Sequence, residues 1–291
     1  MWKKVSIILL LGLIFIGGVS AQGETGVVFS MDDPRGDSAG PGTYTYPQDT
    51  IFPPELGDMV DLVGFIVSNG PNTTRFEFAF AQPPNLHQPW GGEGFNFHRI
   101  DLYIVMGGKG STDTFRPGAQ VEFKRPWQVN LRIRDWKGAY LIHWQDDDPQ
   151  DPQAGIWQGD VEGFDVYVEG NSIIAELSHD LLGPATSRWK YYVLVGLQDA
   201  YGPDQYREIT KDGGPWTGGG GCDSEFDPNL YDILAATDSS QQAQLQWKAG
   251  QLARLQPVGP GSGAGLVKII IIAGVALVAL GVAVFIWIFR R

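Results

Sequence analysis

The chain of 291 residues is poorest in the residue types that most often carry chemistry, with one Cys, four His and four Met. A lone cysteine, Cys222, excludes an internal disulfide framework and any cysteine-based zinc knuckle. His87, His98, His143 and His179 share no ligand spacing, and neither H-E-x-x-H nor G-x-S-x-G occurs. Carboxylates are plentiful, but a glycosidase pair cannot be read from their spacing, because such pairs meet only through the fold. The expectation is a protein that is not an enzyme. Basic charge is scarce too, 21 Lys and Arg against 33 Asp and Glu. Lys3, Lys4, Arg290 and Arg291 lie in two apolar ends without acids; removing those four leaves 17 bases against 33 acids, a net of −16 over 247 residues. Such a body repels phosphate backbones, so no nucleic-acid partner is expected.

The ends read as export and membrane segments. Residues 1–21 combine a basic start, an apolar run from Val5 to Ile16 and small residues at Val19 and Ala21, the pattern of a signal peptide. Ile269–Phe289 is 21 residues without a charge, about 32 Å as a helix, which matches a bilayer core. Trp287 stands at one interface, and the basic stub 290–291 sets the cytoplasmic side. The expected localisation is the cell membrane, single-pass, with the N-terminal body outside. Residues 256–268, rich in Gly, Pro and Ser, read as a flexible linker of at most about 45 Å between that body, 22–255, and the anchor.

The body shows period-2 alternation at residues 75–80, 100–104, 129–134, 139–144, 164–168, 172–177 and 191–195, separated by Gly, Pro, Asn and Asp clusters. Leu245, Ala249, Leu252 and Leu255 recur at helical spacing behind Asp238-Ser239, which predicts an amphipathic helix at the end of the body. No 20–50-residue repeat is visible, so neither propeller nor solenoid is expected. The fold class expected is all-β: an antiparallel β-sandwich with a C-terminal amphipathic helix, plus one transmembrane helix.

Two kinds of motif stand out. Asp32, Asp33 and Asp37 fall within six residues among Pro and Gly turns. They suit a hard cation such as calcium, or equally an Asx-turn cluster that starts the fold. Asp146-Asp147-Asp148 with Asp151 is a second acidic loop, read as solvated or as another cation site. Aromatics near turns form the other kind. Trp90 and Phe95 sit on a glycine-rich loop, and Trp127, Trp136, Trp144, Trp157 and Trp216 lie close to turns, where an indole can stack on a sugar ring or simply join the core. Gly218–Gly221 reads as a flexible loop carrying a free Cys222.

Several segments in order resemble one family. They are Asp33-Pro34-Arg35-Gly36-Asp37 with Gly40-Pro41-Gly42-Thr43-Tyr44-Thr45-Tyr46-Pro47, Pro89-Trp90-Gly91, Pro126-Trp127-Gln128-Val129, Gln198-Asp199-Ala200-Tyr201-Gly202-Pro203, and Asp227-Pro228-Asn229 with Tyr231-Asp232-Ile233-Leu234. Together they resemble the C-terminal binding domain of glucodextranase, within the wider group of DOMON-like and family 9 carbohydrate-binding sandwiches. The resemblance implies an immunoglobulin-like sandwich that binds at the cell surface and does not hydrolyse. Within such a module the expected carbohydrate contacts are the aromatics Trp90, Phe95, Trp127, Tyr201 and Trp216, and the expected calcium ligands are the clustered carboxylates Asp32, Asp33 and Asp37. The function expected is a membrane-anchored module for carbohydrate or cell-envelope glycan. The alternatives are a structural envelope protein docking a protein partner and a DOMON-like haem module using Met59 or Met106 with a histidine.

Overall fold

The computed structural model describes residues 25–261 apart from 90, 223–224 and 236–238. The signal peptide expected at 1–21, the span expected at 269–289 and Trp90 therefore lie outside the described residues. Among the described residues no helix is long and apolar enough to cross a membrane.

Every segment with strand alternation forms a strand. One sheet contains β1 (Gly26–Asp32), β2 (Leu62–Asn69), β3 (Thr73–Phe80), β10 (Phe164–Glu169) and β11 (Ser172–Ser178), in the order β1-β2-β3-β11-β10. Its neighbours are antiparallel throughout. The second sheet contains β4 (His98–Val105), β7 (Val129–Arg134), β8 (Tyr140–His143), β9 (Ile156–Trp157), β12 (Lys190–Leu197) and β13 (Asp232–Ile233), ordered β13-β12-β4-β7-β8-β9. The two sheets pack as a β-sandwich around Phe65, Phe76, Phe78, Leu102, Leu131 and Tyr191, all buried. Phe65 is its centre, with its ring centroid 5.2 Å from Phe78, 5.5 Å from Tyr191 and 6.4 Å from Phe76.

The second sheet departs from the one-sided burial that alternation predicts: every residue of β4 and of β7 is buried. A small third sheet covers part of its outer face, formed by β5 (Ser111–Asp113), β6 (Val121–Trp127) and β14 (Ala253–Leu255). Tyr103, Phe123, Trp127, Tyr192 and Leu255 make a second apolar cluster there. Polar residues such as Arg99, Asp101, Asn130 and Arg132 are buried as well, with Asp101 pairing with both arginines and accepting from Asn130.

The C-terminal amphipathic helix is corrected. Ser240 caps only a short helix, Gln241–Gln244, its hydroxyl accepting from Ala243 N at 3.2 Å. The chain then turns at Gly250, whose φ of +79° is left-handed, and returns as β14 parallel to β6. Ala253 and Leu255 face inward and Arg254 outward, so Leu255 is buried by a period of two, while Leu245 is buried where the short helix ends. The start of the expected linker is docked: Val258 is buried and exchanges backbone hydrogen bonds of 2.7 and 2.9 Å with Tyr191. The glycine run is packed as well. Thr45 and Gly219 pair, and Gly220 sits at φ +88° where a Cβ would collide with the Thr43 carbonyl oxygen.

Phe65→Ala removes the ring on which both sheets close, and we expect a loss of about 3–5 kcal/mol in chemical denaturation. Substitution of the exposed Val27 to Ala should change stability by less than about 0.5 kcal/mol.

Candidate functional site: an aromatic cleft and a carboxylate cluster

The loop after β12 is tightly specified. Asp199 Oδ1 accepts from Tyr201 N at 3.0 Å, and Asp199 N donates to Gln205 O at 3.0 Å. Gly202 is required there, because a Cβ would collide with the Tyr206 carbonyl oxygen. Asp204 and Gln205 follow in the left-handed region, at φ +46° and +65°. For Asp204 that backbone is held by ion pairs from its carboxylate to the buried Arg99 and Arg132. The ring of Tyr201 is left 98% exposed.

Two further aromatics stand beside it. Trp136, just after β7, is 63% exposed, and Trp216 is 50% exposed. With Ile51, Phe52, Gln198 and Arg207 they line a cleft of about 740 Å³ that also includes Asp199 and Tyr201. Arg207 organises its floor. It pairs with Asp199 at 3.0 Å, donates to the Trp216 carbonyl at 2.6 Å, and lies 4.9 Å over the Phe52 ring. Phe52 meets Trp216 edge-on at 5.6 Å. Burial pulls the Arg207 pKa below its ordinary value, against the opposing pull of Asp199. The result is an open apolar surface with a few fixed polar groups, which is how proteins hold the apolar face and hydroxyls of a sugar.

The second feature is acidic. Carboxylate oxygens of Asp33, Asp37 and Asp232 lie within 4.8 Å of one another. Asp232 accepts from Leu62 N at 2.7 Å and Ile233 N at 2.8 Å, and Asp33 Oδ1 accepts from Ala235 N at 3.2 Å. Asp33 Oδ2 and Asp37 Oδ1 are buried without a hydrogen-bond partner. Asp61 stands nearby with both oxygens on Gly36 N, at 2.8 and 3.0 Å. Burial and then mutual repulsion push the carboxyls up, Asp33 to about 8 and Asp37 to about 6; Asp232 is also raised, first by burial and then by Asp33. Three converging carboxyls, two of which present an unpartnered oxygen, fit a hard cation, since oxygen ligands are what calcium takes.

The expected site residues divide accordingly. Tyr201 and Trp216 are in the cleft, and Asp33 and Asp37 are in the cluster. Phe95 and Trp127 are corrected: both are buried, Phe95 5.7 Å from the His98 ring and Trp127 5.0 Å from Tyr103 with its indole N–H on Asp113 O. Phe95 joins the core between the two sheets, and Trp127 the second cluster under the covering layer. Asp32 is corrected too, because alternation along β1 turns it outward between the buried Met31 and Asp33. Trp136, one of the tryptophans noted near turns, joins the cleft. Arg207 and Asp232 complete the two sites without having been singled out for them; no local spacing joins Asp232 to Asp33. The loop of Asp147, Asp148 and Asp151 is spent on capping backbone N–H groups of His143, Gly155, Gln150 and Gln153. His98 offers no free nitrogen to haem, since Nδ1 and Nε2 face the carbonyls of Asn96 and Met59 at 2.8 and 2.7 Å.

Residues 28–257 match a family described as the C-terminal binding module, SLH-like, of glucodextranase. The match spans most of the chain, which therefore belongs to this family, one of binding modules and not of catalytic domains. No curated protein matches the chain.

The clustered carboxyls set a pH dependence. Their folded pKa values lie above the ordinary 3.8, so their contribution is present when protonated and is lost as pH rises from 3.8 through about 8. With divalent ions chelated, the melting temperature should fall between about pH 5 and pH 8, and Asp33→Asn should flatten that fall.

Proposed function

We propose that this chain is a non-catalytic surface module that binds carbohydrate or cell-envelope glycan in the cleft of Trp136, Tyr201 and Trp216. The observation that carries the reading is the exposure of Tyr201 on a loop held rigid by its own hydrogen bonds and by buried ion pairs. An aromatic ring kept in water on a fixed support loses little freedom when a sugar stacks on it. Asp199, Gln198 and Arg207 stand at the same cleft to meet hydroxyls. Membership in a binding-module family supports the same reading. Calcium at Asp33, Asp37 and Asp232 would supply the positive charge that the cluster lacks and fix the opening segment against the segment around Asp232. The apolar residues 269–289 act as a single-pass anchor that keeps the module at the outer face of the membrane.

Affinity electrophoresis of the full chain, in a detergent without sugar headgroups, tests the binding. Retardation is expected in gels containing α-glucan or envelope polysaccharide, and Tyr201→Ala and Trp216→Ala should each weaken it about tenfold. Unchanged retardation in both variants would falsify the cleft as the site, and no retardation on any glycan would favour a protein-docking role. For calcium, the melting temperature should rise by about 5–10 °C on addition of the ion at pH 8, and Asp232→Asn should remove the rise.

A further inference from the structure

A cationic cleft borders the aromatic one. Arg99 and Arg132 are fully provided with counter-ions: Arg99 lies 3.0 Å from Asp101 and 3.6 Å from Asp204, and Arg132 pairs with the same two carboxylates. Arg134, two residues further along β7 on the same face, has no ion pair among the described residues. It is buried, 8% exposed, and its Nε makes no hydrogen bond. Its guanidinium lies 5.0 Å over the ring of Tyr140. Burial and the neighbouring Arg99 and Arg132 lower its pKa to about 9. A buried charge without a counter-ion is costly unless something supplies one.

Arg134 lines a cleft of about 660 Å³ together with Arg116, Arg132, Lys137 and Tyr140, and Asp204 is the one acid on its wall. That acid is already engaged by Arg99 and Arg132. A narrow gap lined by Arg134, Trp136, Lys137, Gln198, Asp199 and Gln205 touches both clefts. The local excess of positive charge sits in a body whose net charge is strongly negative. A glycan with fixed negative charge would be repelled by most of that surface and drawn to this local excess.

We infer that Arg134, with Lys137 and Arg116, receives an oxyanion carried on a sugar while a neighbouring ring stacks in the aromatic cleft, so that the ligand class is an acidic glycan. The inference rests on the glycan reading above and narrows it. Carboxylate and phosphate share the geometry that a guanidinium fork accepts, two oxygens in one plane. Tyr140, stacked under the guanidinium, adds a second ring against which the charged sugar can lie.

Calorimetric titration of the full chain with oligosaccharides of equal length tests it, using a neutral α-glucan, an oligogalacturonate and a sugar-phosphate oligomer. At least one acidic ligand should bind about tenfold tighter than the neutral one, and which does so names the anion. Lys137→Gln, at an exposed position, and Arg134→Gln should each reduce that preference severalfold and leave neutral-glycan affinity unchanged; thermal melts check that both variants fold. Equal affinity for neutral and acidic ligands overturns the anion site and leaves the glycan reading standing. An acidic preference untouched in both folded variants also overturns it. Binding of no ligand at all overturns both.

Discussion

Asp101 lies buried in the middle of β4, and its two oxygens are shared by Arg99 at 3.0 Å, Arg132 at 3.6 Å and the Tyr206 hydroxyl at 2.6 Å. Three separate parts of the chain, β4, β7 and the loop after β12, are thereby held to one point. A hydrophobic filling of the same volume could equal it in net stability, because desolvating charges offsets most of their attraction. What the ionic set adds is direction. Arginine forks and a carboxylate accept partners only along particular lines, and Asp204 meets them only from a left-handed backbone. The loop carrying Tyr201 can settle in one orientation, and the aromatic cleft follows from it.

The formal charge of the body conceals two opposite local imbalances. Asp33, Asp37 and Asp232 converge with no ion pair among the described residues, while Arg99 and Arg132 share two carboxylates and Arg134 beside them has none. Other acids are spent on backbone N–H groups at turns, as with Asp147, Asp148 and Asp151. Charge left over after such pairing marks the places where an external ion or ligand gains most. A whole-chain count could not locate them, since the acid cluster and the arginine cluster nearly vanish into the same sum.

Strand placement was legible because a half-buried sheet imposes a period of two on side chains, and Phe76, Phe78 and Phe80 write it plainly along β3. The second buried face of β4 was not. Arg99, Asp101 and Tyr103 have the look of a solvated face, and only partners brought from β7, the 203–206 loop and the third sheet let them be buried. The same gap misplaced Trp127, which lies under that covering layer. Leu245, Leu252 and Leu255 misled in the other direction: helical spacing lost to Gly250 and to an open strand edge on β6.

Sequence alone determined the strands, the acidic character, the absence of catalytic motifs and the family, all of which depend on residue types at short spacing. Tertiary structure decided which aromatics face water and which carboxylates meet. Tyr201 is exposed and Phe95 buried because of what covers each, and Asp232 joins Asp33 only once β13 and the end of β1 lie side by side. Exposure and convergence depend on contacts between residues far apart in the chain, and no local pattern encodes those distances.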